Sequence, residues 1–307
     1  FKMKNLFFTI IFIFITSYGK NQNLEEVSIN LKIPTERFII HKNFPSKYVI
    51  ERNIEVWLPD DYDNIDALPV LYMLDGQNIF HGKKDWGKDT YNHGWQVDET
   101  LDSLFDIGVI SEMIVVGIFH TGVKRYSEYM PAQPAEEIKK HLSQSEKWFQ
   151  NSYKLYGITS DNFLKFIVKE LMPFINTNYK TIKEKNSTFI AGSSMGGLIS
   201  AYAICEYPNI FGGAACMSTH WSLLDGYFIK YLKDNLPNPE NHKIYFDYGT
   251  LGEDSAYEPY QLKVDSLMIS IGYKRNINWI TKKFEGDKHH EDSWRKRFHY
   301  PITFFLN

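Results

Sequence analysis

Five residues, Gly192-Ser193-Ser194-Met195-Gly196, join an apolar β-branched run, Thr188-Phe189-Ile190-Ala191, to a run suited to a helix, Leu198 to Ile204. A strand, a sharp turn and a helix within so few residues require small side chains where strand and helix cross. A serine at the apex is then held in a strained conformation that exposes its hydroxyl. Ser194 has glycine two positions before and two after it, whereas Ser193 has the bulky Met195 at the second of those positions. Ser194 is therefore the candidate nucleophile. The competing reading is a glycine-rich helix start without chemistry, and the strand-to-helix context favours the nucleophile.

The rest of the chain has the grammar of an α/β protein. Leu68 to Leu74, Met113 to Phe119, Ser187 to Ala191, Ala214 to Ser218 and Ile244 to Tyr248 are short runs without polar alternation, the pattern of parallel strands buried on both faces. Helical stretches separate them, among them Val97 to Phe105, with Asp98 as its expected cap, and Asp161 to Thr177, which Pro173 is expected to kink. Ahead of these, Arg37 to Ile40 and Lys47 to Leu58 suit an antiparallel edge, and Asn276 to Ile280 suits a last strand. Residues 123–157 form a stretch rich in Tyr, Gln, Glu and Pro, too long for an ordinary connection and expected to be a lid or substrate wall.

No Pro/Gly/Ser-rich linker divides the 307 residues, so one domain from residue 20 to 307 is expected. Lys2 and Lys4 precede the apolar run Leu6 to Ile15, with small residues at Ser17 and Gly19, which reads as a signal peptide over residues 1–19 and implies a periplasmic or secreted protein with no membrane attachment after cleavage. A net charge of −3 without a basic, aromatic-interleaved block argues against nucleic acid. Cys205 and Cys216, the two cysteines, cannot build a disulfide scaffold or a zinc finger.

An activated serine needs an imidazole, and the imidazole needs a carboxylate. In an α/β-hydrolase these follow in the order Ser, Asp or Glu, His. After the strand Ile244 to Tyr248, the loop Gly249 to Asp254 offers Glu253 and Asp254, with Asp254 preferred. After the last strand, Phe284 to His290 offers His289 and His290, with His289 preferred because His290 lies closer to the following helix. A metal at His289-His290-Glu291-Asp292 is disfavoured because four adjacent residues cannot converge on one ion. The oxyanion needs two N–H donors, for which Met195, after the nucleophile, and Gln77, in the loop after Val70 to Leu74, are the candidates.

Leu71 to Phe80, Val115 to Ile118, Arg125 with Glu128-Tyr129, Ala191 to Gly197, Asp247 to Thr250 with Asp254, Tyr257 to Tyr260, and His289 with Trp294 together resemble an esterase family of α/β-hydrolases. That family takes in feruloyl esterases, enterochelin-type siderophore esterases, S-formylglutathione hydrolases and the antigen 85 mycolyltransferases. The resemblance runs from about Val49 to Phe305 and implies an α/β-hydrolase fold, a mostly parallel sheet with helices on both faces. It implies a cofactor-independent serine esterase acting on carbohydrate, feruloyl or siderophore esters, with Ser194, Asp254 and His289 as triad and Gln77 and Met195 as oxyanion donors. An acyltransferase on the same scaffold and a non-catalytic binding module are the alternatives. Arg125 could bind a polar substrate group or form a surface ion pair with Glu128, and Trp221 could wall the pocket or pack in the core.

Overall fold

The computed structural model describes residues 37–80, 94–145 and 147–307; the expected signal peptide over residues 1–19 lies outside them. Eight strands form one sheet in the order β1-β2-β4-β3-β5-β6-β7-β8. They are β1 (Phe38–Phe44), β2 (Arg52–Trp57), β3 (Val70–Leu74), β4 (Ile114–Ile118), β5 (Thr188–Ser193), β6 (Gly213–Met217), β7 (Lys243–Leu251) and β8 (Trp279–Lys288). The first two pair antiparallel and β2 joins β4 antiparallel, while every pairing from β4 to β8 is parallel. This is the α/β-hydrolase fold.

Helices cover both faces: α1 (Val97–Asp106), α2 (Arg125–Tyr129), α3 (Ala135–Leu142), α4 (Lys147–Tyr156), α5 (Ser160–Phe166), α6 (Met172–Asn178), α7 (Met195–Glu206), α8 (Tyr227–Asn235), α9 (Glu258–Ile271), α10 (Glu291–Arg297) and α11 (His299–Leu306). Alternate residues of the strands divide between two cores. Val70, Tyr72 and Leu74 pack on the face carrying α7 and α8, and Leu71 and Met73 on the face carrying α1, α10 and α11. Helix α7 is buried from Met195 to Cys205, which explains why its sequence carries no polar stripe. Both cysteines are free and buried.

Several boundaries differ from the sequence expectation. The antiparallel edge does not extend back to Lys47: Ser46 Oγ accepts the Tyr48 and Val49 N–H groups, and Glu170 accepts that of Lys47, so these amides are satisfied outside the sheet. The last strand is Trp279–Lys288, not Asn276 to Ile280, and it takes in most of the segment expected to be a loop. Its polar alternation reflects an edge position, half-buried rather than enclosed. Asp98 does not cap α1, because the helix already starts at Val97 after Gln96 in the left-handed region. The run expected as one kinked helix is α5 and α6 joined by a π turn, Ile167–Leu171, just before Pro173, which has no N–H to donate. Residues 123–157 hold the three helices α2 to α4 rather than an irregular loop.

Under the β2 edge lies an ion pair between Arg52 and Glu128, whose side chains are 1% and 3% exposed. The guanidinium forms a fork on both carboxylate oxygens, at 3.0 and 2.7 Å, and lies 5.1 Å from the ring centres of both Phe163 and Phe166. Removing one partner leaves an uncompensated buried charge, which costs about 3–5 kcal/mol, whereas removing both together costs much less. Arg52→Met should thus lower unfolding free energy by about that amount in urea titrations, and Arg52→Met with Glu128→Leu should recover most of the loss.

Candidate active site

Ser194 has φ 59° and ψ −121°, a conformation forced by the turn from β5 into α7. A Cβ on Gly192 would stand 2.7 Å from the backbone of Gly196, so only glycine permits the crossing at that position. At Gly196 the nearest atom to an added Cβ would be Asp75 Oδ2 at 3.6 Å, ordinary contact; the constraint falls on the first glycine of the motif rather than equally on both. The turn is pinned from β6, since the Ser194 N–H donates to the Met217 carbonyl and the Ser194 carbonyl accepts from the His220 N–H. Met195 opens α7, where the first N–H groups have no partner within the helix and point toward the turn.

The loop after β3 lies against this turn. Gly76 packs so tightly on β4 that a Cβ would meet the Gly117 carbonyl carbon at 2.5 Å. Asp75 takes the left-handed region, φ 55° and ψ 42°, and three contacts hold it there: its N–H donates to the Tyr129 hydroxyl, and its carboxylate accepts two bonds of 2.7 Å from Arg125. Gln77 follows within the 3-10 turn Gly76–Asn78, and its side-chain oxygen accepts from the His120 N–H. Arg125 is not paired with Glu128, which belongs to Arg52, and it is not at the surface; it clamps the loop that carries Gln77. Sequence spacing could not show this, because Asp75 and Arg125 stand 50 residues apart.

On the other side of the turn, His289 Nδ1 lies 2.5 Å from Asp254 Oδ1. Asp254 is fully buried and also accepts the Ser218 hydroxyl and the Gly249 N–H, each at 2.6 Å, on Oδ2. Burial works to raise the Asp254 pKa, but the bonds from His289, Ser218 and Gly249 outweigh it and hold the carboxyl below its usual value. Glu253, by contrast, is 69% exposed, and its carboxylate comes within 3.6 Å of His289 Nε2. His290 is an N-cap: its Nδ1 accepts the Asp292 N–H as α10 begins. Trp221 is in the core, stacked on Phe228 with its indole N–H on Gln261.

Two residues missed in the sequence reading complete the site. The Tyr257 ring stands edge-on to both His289 and His220, with centres 5.7 Å away in each case, and its hydroxyl is 2.7 Å from His220 Nδ1. Burial, with the nearby Asp254 and Glu253, raises the pKa of this phenol, and the neighbouring Ser194 acts to lower it. Tyr257 was visible only as part of the family motif, and His220 only as one of several downstream histidines. Among the described residues no group of three or more His, Cys, Asp or Glu could hold a metal ion, and no helix is long and apolar enough to cross a membrane.

The family model described as "Putative esterase" matches residues 49–300. The chain belongs to this family. It is 26% identical over 172 residues to the "Uncharacterized protein YbbA" of Bacillus subtilis, covering 55% of this chain and 58% of that one. It is 30% identical over 203 residues to the "Endo-1,4-beta-xylanase/feruloyl esterase" of Xylanibacter ruminicola, covering 62% of this chain and 21% of the relative. The chain thus spans little more than half of the first relative and about a fifth of the second. Among solved structures, a ferulic acid esterase superposes with a TM-score of 0.62 at 17% identity, over 88% of this chain and 97% of that one, a likeness of fold.

Burial, His289 and Arg125 push the His220 pKa down to about 4. Because this folded value lies below the ordinary 6.5, the folded imidazole refuses a proton that the unfolded chain accepts between about pH 6.5 and 4, so stability is present above that window and lost as pH falls through it. At pH 4.5 the loss from this group should be on the order of 2–3 kcal/mol. Urea unfolding at pH 7.5 and 4.5 should therefore show a larger acid-dependent drop for the parent than for His220→Gln, by about that amount.

Proposed function

We propose that the protein is a serine esterase that hydrolyses neutral carboxylic esters, with Ser194 as nucleophile, His289 as base and Asp254 as the acid that orients it. The observation that carries this reading is the 2.5 Å contact between His289 Nδ1 and the buried Asp254 carboxylate, on the same sheet end as the strained Ser194 turn. With Nδ1 occupied, Nε2 is the nitrogen left to serve the serine.

Ser194 Oγ attacks the ester carbonyl carbon while His289 Nε2 takes the hydroxyl proton, and Asp254 stabilises the imidazolium that results. The Gln77 and Met195 N–H groups hold the oxyanion. His289 then returns the proton to the leaving alcohol as the carbon–oxygen bond breaks, giving an acyl-enzyme. Water, deprotonated at the same nitrogen, attacks the acyl carbon; the acyl–Ser194 Oγ bond breaks, His289 Nε2 returns the proton to Oγ, and the acid leaves.

Ser194→Ala should abolish turnover of p-nitrophenyl acetate, a loss on the order of 10⁶ in kcat, and should also abolish labelling by a fluorophosphonate, while the melting curve stays close to that of the parent. Labelling that persists in Ser194→Ala would remove Ser194 from the role.

The choice of neutral esters rests on Arg125. Its guanidinium lies close enough to influence His220, but both its paired bonds go to Asp75, so this cation is already compensated and is not offered to a polyanionic ligand. His220, half-buried and backed edge-on by Tyr257, offers an aromatic ring at this end of the sheet. The relative named as a xylanase/feruloyl esterase is consistent with a feruloyl sugar as substrate. Methyl ferulate and feruloyl arabinose should therefore be turned over with kcat/KM at least about 100-fold above that for a ferric catecholate siderophore. The opposite ranking would assign Arg125 to substrate rather than to the loop.

A further inference from the structure

Behind Asp254 lies a second layer of buried polar groups. Ser218, the residue after β6, is fully buried and its hydroxyl makes three contacts. The oxygen accepts Trp294 Nε1 at 2.9 Å and Arg297 Nη2 at 2.6 Å, so its one proton is directed to Asp254 Oδ2 at 2.6 Å. The backbone is fixed as well, since the Ser218 N–H donates to Asp247 Oδ1 at 3.0 Å and the residue takes φ 38°. Arg297, 1% exposed, stands among three carboxylates: Asp247 at 3.1 Å, Asp287 at 3.2 Å and Asp254 at 3.7 Å.

Trp294 and Arg297 are three positions apart on α10, which places both on one face of the helix that begins directly after His289 and His290. Trp294 also packs edge-on against the His289 ring, with centres 5.0 Å apart. One short stretch of chain therefore supplies the imidazole, a ring against which it rests, and the cation behind the carboxylate it meets.

We propose that Ser218 and Arg297 are positioning residues for the reaction: Arg297 polarises the Ser218 hydroxyl, which fixes Asp254 so that its other oxygen faces His289. This rests on the reading of Asp254 and His289 as part of the triad. A hydroxyl bonded to a guanidinium is a stronger donor than a neutral one, and it leaves Asp254 one lone pair direction toward the imidazole. Asp247, whose own pKa burial raises, shares the same cation and is bonded by the Tyr245 hydroxyl, so it is a competitor for Arg297 rather than for His289.

The charged and titratable groups facing this pair are known on each side. Asp254 is met by His289, Arg297, Asp247 and Tyr257, and His289 by Asp254, Glu253, Tyr257 and His220. Removing the Ser218 hydroxyl, or the positive charge of Arg297, leaves a carboxylate that holds the imidazolium proton more tightly. The acid limb of kcat/KM must then move to higher pH.

The test is the pH profile of p-nitrophenyl acetate hydrolysis by the parent, Ser218→Ala, Arg297→Met and Arg297→Lys. Ser218→Ala should lower kcat roughly 10- to 100-fold with KM little changed, and should move the acid limb up by about half a pH unit or more. Arg297→Met should do the same, and Arg297→Lys should restore part of the loss because it keeps the charge without the fork. If Arg297→Met does not fold, Ser218→Ala decides, since it leaves the cation in place among the three carboxylates. A lower plateau with an unmoved acid limb, a change confined to KM, or parent-like kinetics would each overturn the proposal. The parent reading fails separately, if Ser194→Ala keeps its turnover or its fluorophosphonate labelling.

Discussion

The crossing of β5 and α7 at Ser194 is the constraint on which the rest of the site depends. Ser194 holds a positive φ, a conformation that costs a non-glycine residue of order 1–3 kcal/mol and persists only where the surroundings over-determine it. Here they do. Strand β5 is buried along its length, α7 is buried around its whole circumference to Cys205, and the turn is bonded to β6 at both its N–H and its carbonyl. The Asp75 loop abuts Gly196 from the other side, so the turn is confined by strand, helix and loop together.

Arg52, Arg125 and Arg297, each 4.9–5.1 Å from an aromatic ring centre, perform related tasks at different depths. Arg52 holds Glu128 beneath Phe163 and Phe166, Arg125 holds Asp75 over Tyr129, and Arg297 lies over Phe284 among three aspartates. Planar guanidinium suits this setting, because it forms paired bonds to a carboxylate while its faces stay against rings. Glu128, which the sequence offered as a partner for Arg125, instead links α2 to β2, and this frees Arg125 to reach back to the loop after β3.

What could be read from the sequence follows from how local its signal is. The parallel strands were legible because burial on both faces removes polar residues from them, and the Ser194 turn because its glycine is required within a few residues. Asp254 and Glu253 could be ranked by position, but burial is what separates them, and burial is a property of the folded sheet end. The start and end of β8 were obscured by its edge composition, Lys282-Lys283-Phe284-Glu285, which reads equally well as a loop. The helices of residues 123–157 were obscured by short length, since three segments of five to ten residues give little periodicity to detect. Trp221 illustrates the same limit: an indole next to a strand end looks alike in sequence whether it faces solvent or, as here, Phe228 and Gln261.

The contrast between Asp247 and Asp254 shows why long-range partners decide the chemistry. Both are fully buried and both approach Arg297, yet their environments diverge. Asp247 lies within the strand and receives the Ser218 N–H and the Tyr245 hydroxyl, so its bonds are directed into the sheet. Asp254 lies in the turn after β7, where the chain leaves the sheet, and its two oxygens divide their work: one takes Ser218 and Gly249, the other meets His289. The Asp254 carboxylate is thus held in one orientation by donors and a cation already in place. Under the proposed mechanism, preorganisation of this kind lowers the reorganisation demanded when charge develops on the imidazole.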